Sequence, residues 1–282
     1  MKANPLFLRQ RKPFWANVRS ISQFIGYTDR QTSQIKVPSL ADMQNALTSL
    51  GLDTSHIVNS SNRPTIFGRR LHKYFFHRAD ILNTYVRPRL MDVSKAKQVF
   101  NDLFDSLKPN CPIPLNKQKN EKKAPAYFTA IINMLIESNS AGFSCDYDPR
   151  VLTAITHENL PLRTLARRVD GAFTSPINPI AIWEIKEYYY TTTFGSRVAD
   201  GVYETLLDGM ELEEIAEHEK INIKHYLMID DFNTWWNMGR SYLCRIVDML
   251  HMGYIDEVFF GYEVVEKLPA TVKEWVEIAK RR

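Results

Sequence analysis

Cysteine is scarce in this chain: Cys111, Cys145 and Cys244 are the only three, far apart and odd in number. That excludes a disulfide framework, and no CxxC or CxxH spacing suggests a structural zinc. Long apolar runs are also missing; the strictly apolar stretches stay well under the ~18 residues that span a bilayer. In the opening MKANPLFLRQRK, Arg9 arrives before the apolar core of a signal peptide forms, so the expectation is an intracellular, cytoplasmic protein. Gly 11 and Pro 14 leave no room for a collagen-like or low-complexity chain. There is no GxxxxGK[ST] loop to cradle the phosphates of ATP, and the seven histidines form no HExxH motif.

What remains is an ordinary globular composition, 44% hydrophobic and 24% charged, with an unusual arrangement of charge. Residues 1–123 hold 21 Lys/Arg against 8 Asp/Glu, whereas residues 124–282 hold 15 against 24. A basic front joined to an acidic back points to a polyanion partner, double-stranded DNA being the foremost candidate. Within the front, FGRRLHKYFFHRADILNTYVRPR (67–89) sets Arg69, Arg70, Lys73, Arg78, Arg87 and Arg89 among aromatics. Leu71, Phe75, Arg78 and Leu82 recur at helical spacing, which predicts a helix with one packed side and a basic outer side for phosphates. Ser39 and Asp42 predict a capped helix that ends at Gly51. Upstream, Arg30, Gln31, Gln34 and Lys36 are candidates for reading base edges.

KPNCPIPLNKQKNEKKAPA (108–126) has four prolines and a polar run, the pattern of a linker. The expected division is therefore a largely helical basic DNA-binding region over 1–120 and a catalytic domain over 121–282. In the latter, periodicity and β-branched content predict helix 126–143, strands 150–156, 162–173 and 181–193, and a helix from 197 that breaks near Gly209. A strand at 221–232, a helix at 239–252, a strand at 257–265 and a helix opening at Pro269 complete the order. The predicted class is α/β, a mixed sheet flanked by helices.

The chemistry gathers on the third strand. Alternation in Trp183-Glu184-Ile185-Lys186 places Glu184 and Lys186 on one face. Antiparallel pairing through SPINP (175–179) brings Asp170 next to Glu184, and two converging carboxylates call for a divalent cation. Mg²⁺ keeps most of its waters, so Asp170, Glu184 and the Ile185 carbonyl suffice as ligands, with Lys186 orienting or deprotonating the attacking water. A second copy of the short motif, Glu121-Lys122-Lys123, lies in the polar linker without a partnered aspartate and reads as solvated surface. His218-Glu219-Lys220 begins an HxK motif, but position 225 is His where a phospholipase-D-type site needs Asp.

Asp170-X13-Glu184-X-Lys186 on two strands between helices resembles the PD-(D/E)XK nuclease superfamily, and within it the type II restriction endonucleases. The resemblance covers about residues 124–265, with Val169 standing where the motif's name has proline. It implies a restriction-endonuclease-like α-β-β-β-α-β core, Mg²⁺-dependent cleavage of DNA and action as a homodimer. It also matches Glu137 to an acidic residue that some members use as an extra ligand or support for the metal. Two alternatives stay open: a repair or phage-defence nuclease without sequence specificity, and a DNA-binding protein in which Asp170, Glu184 and Lys186 are only an ion-pair cluster.

Overall fold

The computed structural model describes every residue except Arg9, Arg30, Ser33 and residues 117–122. The base-reading candidate Arg30, the Glu121-Lys122 half of the second motif and the expected boundary near residue 120 thus lie outside the described residues.

The front of the chain is helical: α1 (Pro5–Leu8), α2 (Lys12–Ile25), α3 (Leu40–Ser49), α4 (Ile66–Ile81) and α5 (Val93–Leu107). Ser39 and Asp42 form the predicted capping box on α3, each accepting a backbone N–H. Helix α4 packs as its spacing requires, with Leu71, Tyr74, Phe75 and Arg78 buried against Phe7, Phe14, Trp15 and Met43 or against the second half. Its last residues merge into a π-helical turn, Leu82–Val86.

From residue 127 onward the order is α6 (Tyr127–Asn139), β1 (Cys145–Asp146), β2 (Ala154–His157), β3 (Leu160–Thr164), β4 (Gly171–Phe173) and β5 (Ala181–Glu187). Then come α7 (Ser196–His218), β6 (Lys224–Asp230), α8 (Arg240–Met252), β7 (Glu257–Phe260) and α9 (Glu263–Ala279). Five strands make one mixed sheet in the order β1-β4-β5-β6-β7, antiparallel across β1, β4 and β5 and parallel from β5 to β7. The class is α/β, as the sequence predicts. Among the described residues no helix is long and apolar enough to cross a membrane.

Several expected elements differ. The expected strands 150–156 and 162–173 become a separate hairpin, β2–β3, and the short β4; β1 takes the first place in the sheet. Asn159 and Glu158 at positive φ make the tight turn of that hairpin. Strand β5 stops at Glu187 rather than running to residue 193. Helix α7 passes through Gly209 unbroken. A Cβ there would meet the Tyr254 carbonyl oxygen at 2.5 Å, so this glycine permits a close approach rather than a break. Helix α9 begins at Glu263, six residues before Pro269, which lies inside it. Acidic Glu263 and Glu266 in its first turn suit the positive end of the helix dipole, and Val264 and Leu268 are fully buried, so core packing holds the turns ahead of the proline.

Register in the sheet is pinned by one contact. Gly171 pairs with Trp183, and a Cβ on Gly171 would lie 2.1 Å from the indole ring. The same indole stacks on Trp275 of α9 at 5.7 Å between centroids. Helices α5, α6 and α9 cover the face of Trp183, while α7 and α8 cover the face of Ile182, Leu227 and Ile229. Helix α5 shares its core with α6: Ala96, Val99 and Phe100 pack with Ile131, Leu135 and Trp183 in one cluster. The described flanks of the expected linker are tied to α6 too, through Asn110 N–H to Glu137 and Asn133 to the Pro112 carbonyl. The core therefore does not divide near residue 120; α5 belongs to the layer formed by α6 and α9.

The two parts meet across a buried ion pair. Arg78 on α4 donates to both oxygens of Asp248 on α8 at 3.1 and 3.0 Å, and the Tyr74 hydroxyl donates to the same carboxylate at 2.6 Å. Arg78→Met should therefore destabilise the protein by about 3 kcal/mol, because Asp248 is left as an unpaired buried charge. Arg78→Met with Asp248→Leu should recover most of that loss. Urea denaturation midpoints check both; a double variant no better than the single would show that the pair is not the source.

Candidate active site

Because Gly171 faces Trp183, the preceding residue falls beside Glu184. The Asp170 N–H reaches Glu184 Oε1 at 3.3 Å, and the Ile185 N–H donates to Asp170 Oδ2 at 2.8 Å. Alternation turns Glu184 and Lys186 together onto the α7 face, where Lys186 Nζ bonds Glu184 Oε2 at 2.7 Å. Asp170, Glu184 and Lys186 are thus brought together as the motif predicts. Gly201 on α7 lets the lysine stem lie flat, 3.2 Å from where a Cβ would stand.

Three further side chains complete the cluster. Arg167, just before β4, donates to Glu184 Oε1 at 2.9 Å and to Asp208 Oδ2 at 2.7 Å. Glu204 lies 3.4 Å from Arg167 and 3.5 Å from Lys186, and is the most exposed member, so the cluster opens to solvent there. Glu204 and Asp208 are one helical turn apart on α7, which places both on the face that meets the sheet. Sequence reasoning missed all three. The available signals were this i, i+4 acid pair and the arginine three residues before Asp170.

Four carboxylates thus meet two cations, and the surplus shows in their titration. Burial, then the Glu184 charge, lifts the Asp170 carboxyl to about 6. The same two causes lift Asp208 to about 7, although Arg167 opposes them. Glu184 is held below its ordinary value because Lys186 and Arg167 overcome its burial. Lys186 and Arg167 are both raised: burial disfavours their charge, but Glu184 and its acidic neighbours more than compensate. Asp208 Oδ1 is buried without a hydrogen-bond partner among the described residues. So is Nε2 of His225, a β6 residue of the same face whose Nδ1 is bonded to the Tyr254 carbonyl.

These residues fit a divalent cation. Hard carboxylate oxygens are what Mg²⁺ prefers, and a net surplus of two negative charges is what it would neutralise. The Ile185 N–H points to the β4 edge at Asp170, and a strand residue's C=O leaves on the same edge as its N–H, so the Ile185 carbonyl shares that edge. Among the described residues no group of three or more His, Cys, Asp or Glu is arranged as a ready-made metal cage, since Arg167 and Lys186 are interleaved with the acids. The expected ligand set needs only two carboxylates, a carbonyl and waters.

Glu137 does not join this cluster. It lies on α6, which covers the Trp183 face of the sheet, and accepts the Asn110 N–H at 3.0 Å. Glu187 also turns to that face, bonding Thr129 on α6, and burial raises its carboxyl to about 7. Among the expected phosphate contacts, Arg69, Arg70, Lys73 and Arg87 are exposed. Among the described residues Arg70 hydrogen-bonds Gln10 alone and Arg69 the Pro64 carbonyl alone. Arg78 is 1% exposed and committed to Asp248, so it is not part of an outer basic side. Arg89 is partly engaged by Glu266 at 3.0 Å. Lys36 turns inward to the Ile25 carbonyl at 2.6 Å, while Gln31 and Gln34 are exposed. Arg240, at the start of α8, lies over Trp236 with Arg87 on the same ring, a paired-cation surface that no sequence motif marks.

The comparison with protein families matches two parts of the chain, although one buried cluster runs across both. Residues 91–275, more than half of the chain, match the domain of unknown function DUF7687. The chain belongs to the DUF7687 family. Residues 1–85 match a second domain of unknown function, DUF7690. No curated protein and no solved structure matches the chain. Every member of the acidic cluster lies in the DUF7687 part, as does Asp248, whereas Arg78 lies in the DUF7690 part.

The raised Asp170 carboxyl makes a stability prediction. Its folded value of about 6 against an ordinary 3.8 favours folding fully below about 3.8, and that advantage is lost as pH rises through 6. Asp170→Asn removes the charge and keeps an oxygen for the Ile185 N–H. In EDTA at pH 8 it should stabilise the protein by about 1–2 kcal/mol, with the gain shrinking toward pH 5. Denaturant midpoints across pH check this; a loss of stability at pH 8 would contradict the charge surplus.

Proposed function

We propose that this protein is a Mg²⁺-dependent endonuclease that hydrolyses phosphodiester bonds in double-stranded DNA, of the type II restriction kind. The observation that carries the reading is the register: Asp170 beside Glu184, Lys186 on the same face, and a carboxylate surplus that favours binding of a divalent cation. The element order α6-β1-β4-β5-α7-β6 supports it, since it runs α-β-β-β-α-β as in the PD-(D/E)XK nucleases that the motif resembles, with β2–β3 as an inserted hairpin. The exposed arginines and lysines of the front half supply the phosphate grip. A homodimer lets two such clusters address two antiparallel strands.

In this reading Asp170, Glu184 and the Ile185 carbonyl hold the cation, and Lys186 orients the attacking water or steadies charge on the phosphoryl oxygen. The cation, when bound, lowers the pKa of water and neutralises charge on the phosphate. Arg167 releases Glu184 and retains Asp208, whose buried Oδ1 has no hydrogen-bond partner among the described residues.

One observation favours a second reading. Both oxygens of Glu184 already accept from cations, Oε1 from Arg167 and Oε2 from Lys186, as a purely structural ion-pair cluster in a DNA-binding protein would have them.

Supercoiled plasmid incubated with Mg²⁺ separates the two, and discrete bands rather than a smear mark site-specific cutting over a repair or defence nuclease. Asp170→Ala and Glu184→Ala should abolish cleavage and leave DNA binding in place. Lys186→Ala should lose about a hundredfold or more in rate while divalent-ion binding persists. Lys123→Ala, in the second copy of the motif, should cut normally. An uncut plasmid with wild-type protein, or wild-type rates in the first three variants, would defeat the nuclease reading.

Binding should also weaken steeply with salt, because the basic front releases counterions from DNA. Fluorescence anisotropy over a salt series checks it. A flat log–log slope would mean that the front serves another partner.

A further inference from the structure

A cleft of about 770 Å³ opens between α2 and the outer side of α7 and α8, where the DUF7690 and DUF7687 parts meet. Its size is within the range of small-ligand sites, and junctions of this kind commonly hold them. Arg19, Phe24 and Tyr27 come from one wall, Tyr203 and Arg245 from the other. Phe24 and Tyr203 are each about half exposed, 49% and 48%, large rings left to solvent. Arg245 rests against the rings of Tyr27, Tyr203 and Tyr242 at 5.1, 5.9 and 4.8 Å and donates to the Tyr203 hydroxyl. Among the described residues Arg19 has the Met252 sulfur as its one hydrogen-bond partner. Neither arginine has an ion-pair partner among the described residues. Asp248 also borders the cleft, but Arg78 offsets its charge from beneath.

An apolar ligand would leave two guanidinium groups unused, and a bare anion would leave the rings unused. A planar ring carrying a phosphate uses both, because aromatic side chains stack on bases and guanidinium forks bind phosphate oxygens. We propose that this cleft binds one nucleotide unit, its base against Phe24 and Tyr203 and its phosphate at Arg245 and Arg19. The unit is either a free nucleotide or an unpaired nucleotide of a DNA strand. The site is separate from the acidic cluster and does not depend on the nuclease reading.

Calorimetric titration in EDTA tests it with the four deoxynucleoside monophosphates, a short oligothymidylate and inorganic phosphate as probes. Phe24→Ala alters a half-exposed ring and Arg245→Gln removes the charge; thermal midpoints establish that both variants are folded. If a monophosphate binds the wild type and each variant weakens it about tenfold or more, the site takes free nucleotides. If only the oligothymidylate shows that pattern, the nucleotide comes from a strand. Binding of neither probe, wild-type affinity in either folded variant, or inorganic phosphate binding as tightly as a nucleotide would overturn the proposal.

Discussion

A buried guanidinium fixes how α4 meets α8, the point at which the two parts of this molecule share a charge. Arg78 reaches out of a helix whose other buried residues carry no charge, and among the described residues its charge is answered by Asp248, the Ser22 hydroxyl and the faces of Tyr27 and Phe75. A charge in such surroundings is tolerable only while its partner is in place. The relative position of α4 and α8 is therefore specified far more sharply than apolar packing alone would specify it. The aromatic cleft depends on that position, since one wall comes from each part.

The sheet obeys a different constraint, the two-residue period of a strand. On β5, Trp183, Ile185 and Glu187 belong to the α6 and α9 layer, while Ile182, Glu184 and Lys186 belong to the α7 layer. This much was readable from the letters alone, because alternation needs no tertiary knowledge. The pairing of Asp170 with Glu184 was readable too, from the short turn between the two strands. The details around it were not. Residues 150–173 carry strand-like composition throughout, and nothing local says that a hairpin leaves the sheet while Cys145–Asp146 enters it. The start of α9 was hidden for a related reason: EVVEKLPATV suits a strand at one end and a helix at the other.

The acidic cluster was half legible. Its three motif residues announced themselves by spacing, whereas Arg167, Glu204 and Asp208 arrive from outside the strand, through the approach to β4 and the packing of α7. Helix packing brings together residues about twenty to forty positions apart, and no periodicity within either element records it. Arg78 shows the same limit from the other side: its spacing marked it correctly for the packed face of α4, and its charge grouped it wrongly with the outer arginines.

Helix α7 runs for 23 residues without a break, a rod of roughly 35 Å. Gly209 is wedged on the Tyr254 backbone, its neighbour Asp208 bonds Arg167, and Tyr203 leans over the cleft. The rod is also packed along its length, from Val198 and Val202 to Leu212 and Ile215. A methyl group at position 209 would therefore press the acids and the cleft wall away from their partners together. In a random-mutagenesis screen, losses that look like damage to the acids or to the cleft should therefore recur at a glycine that belongs to neither.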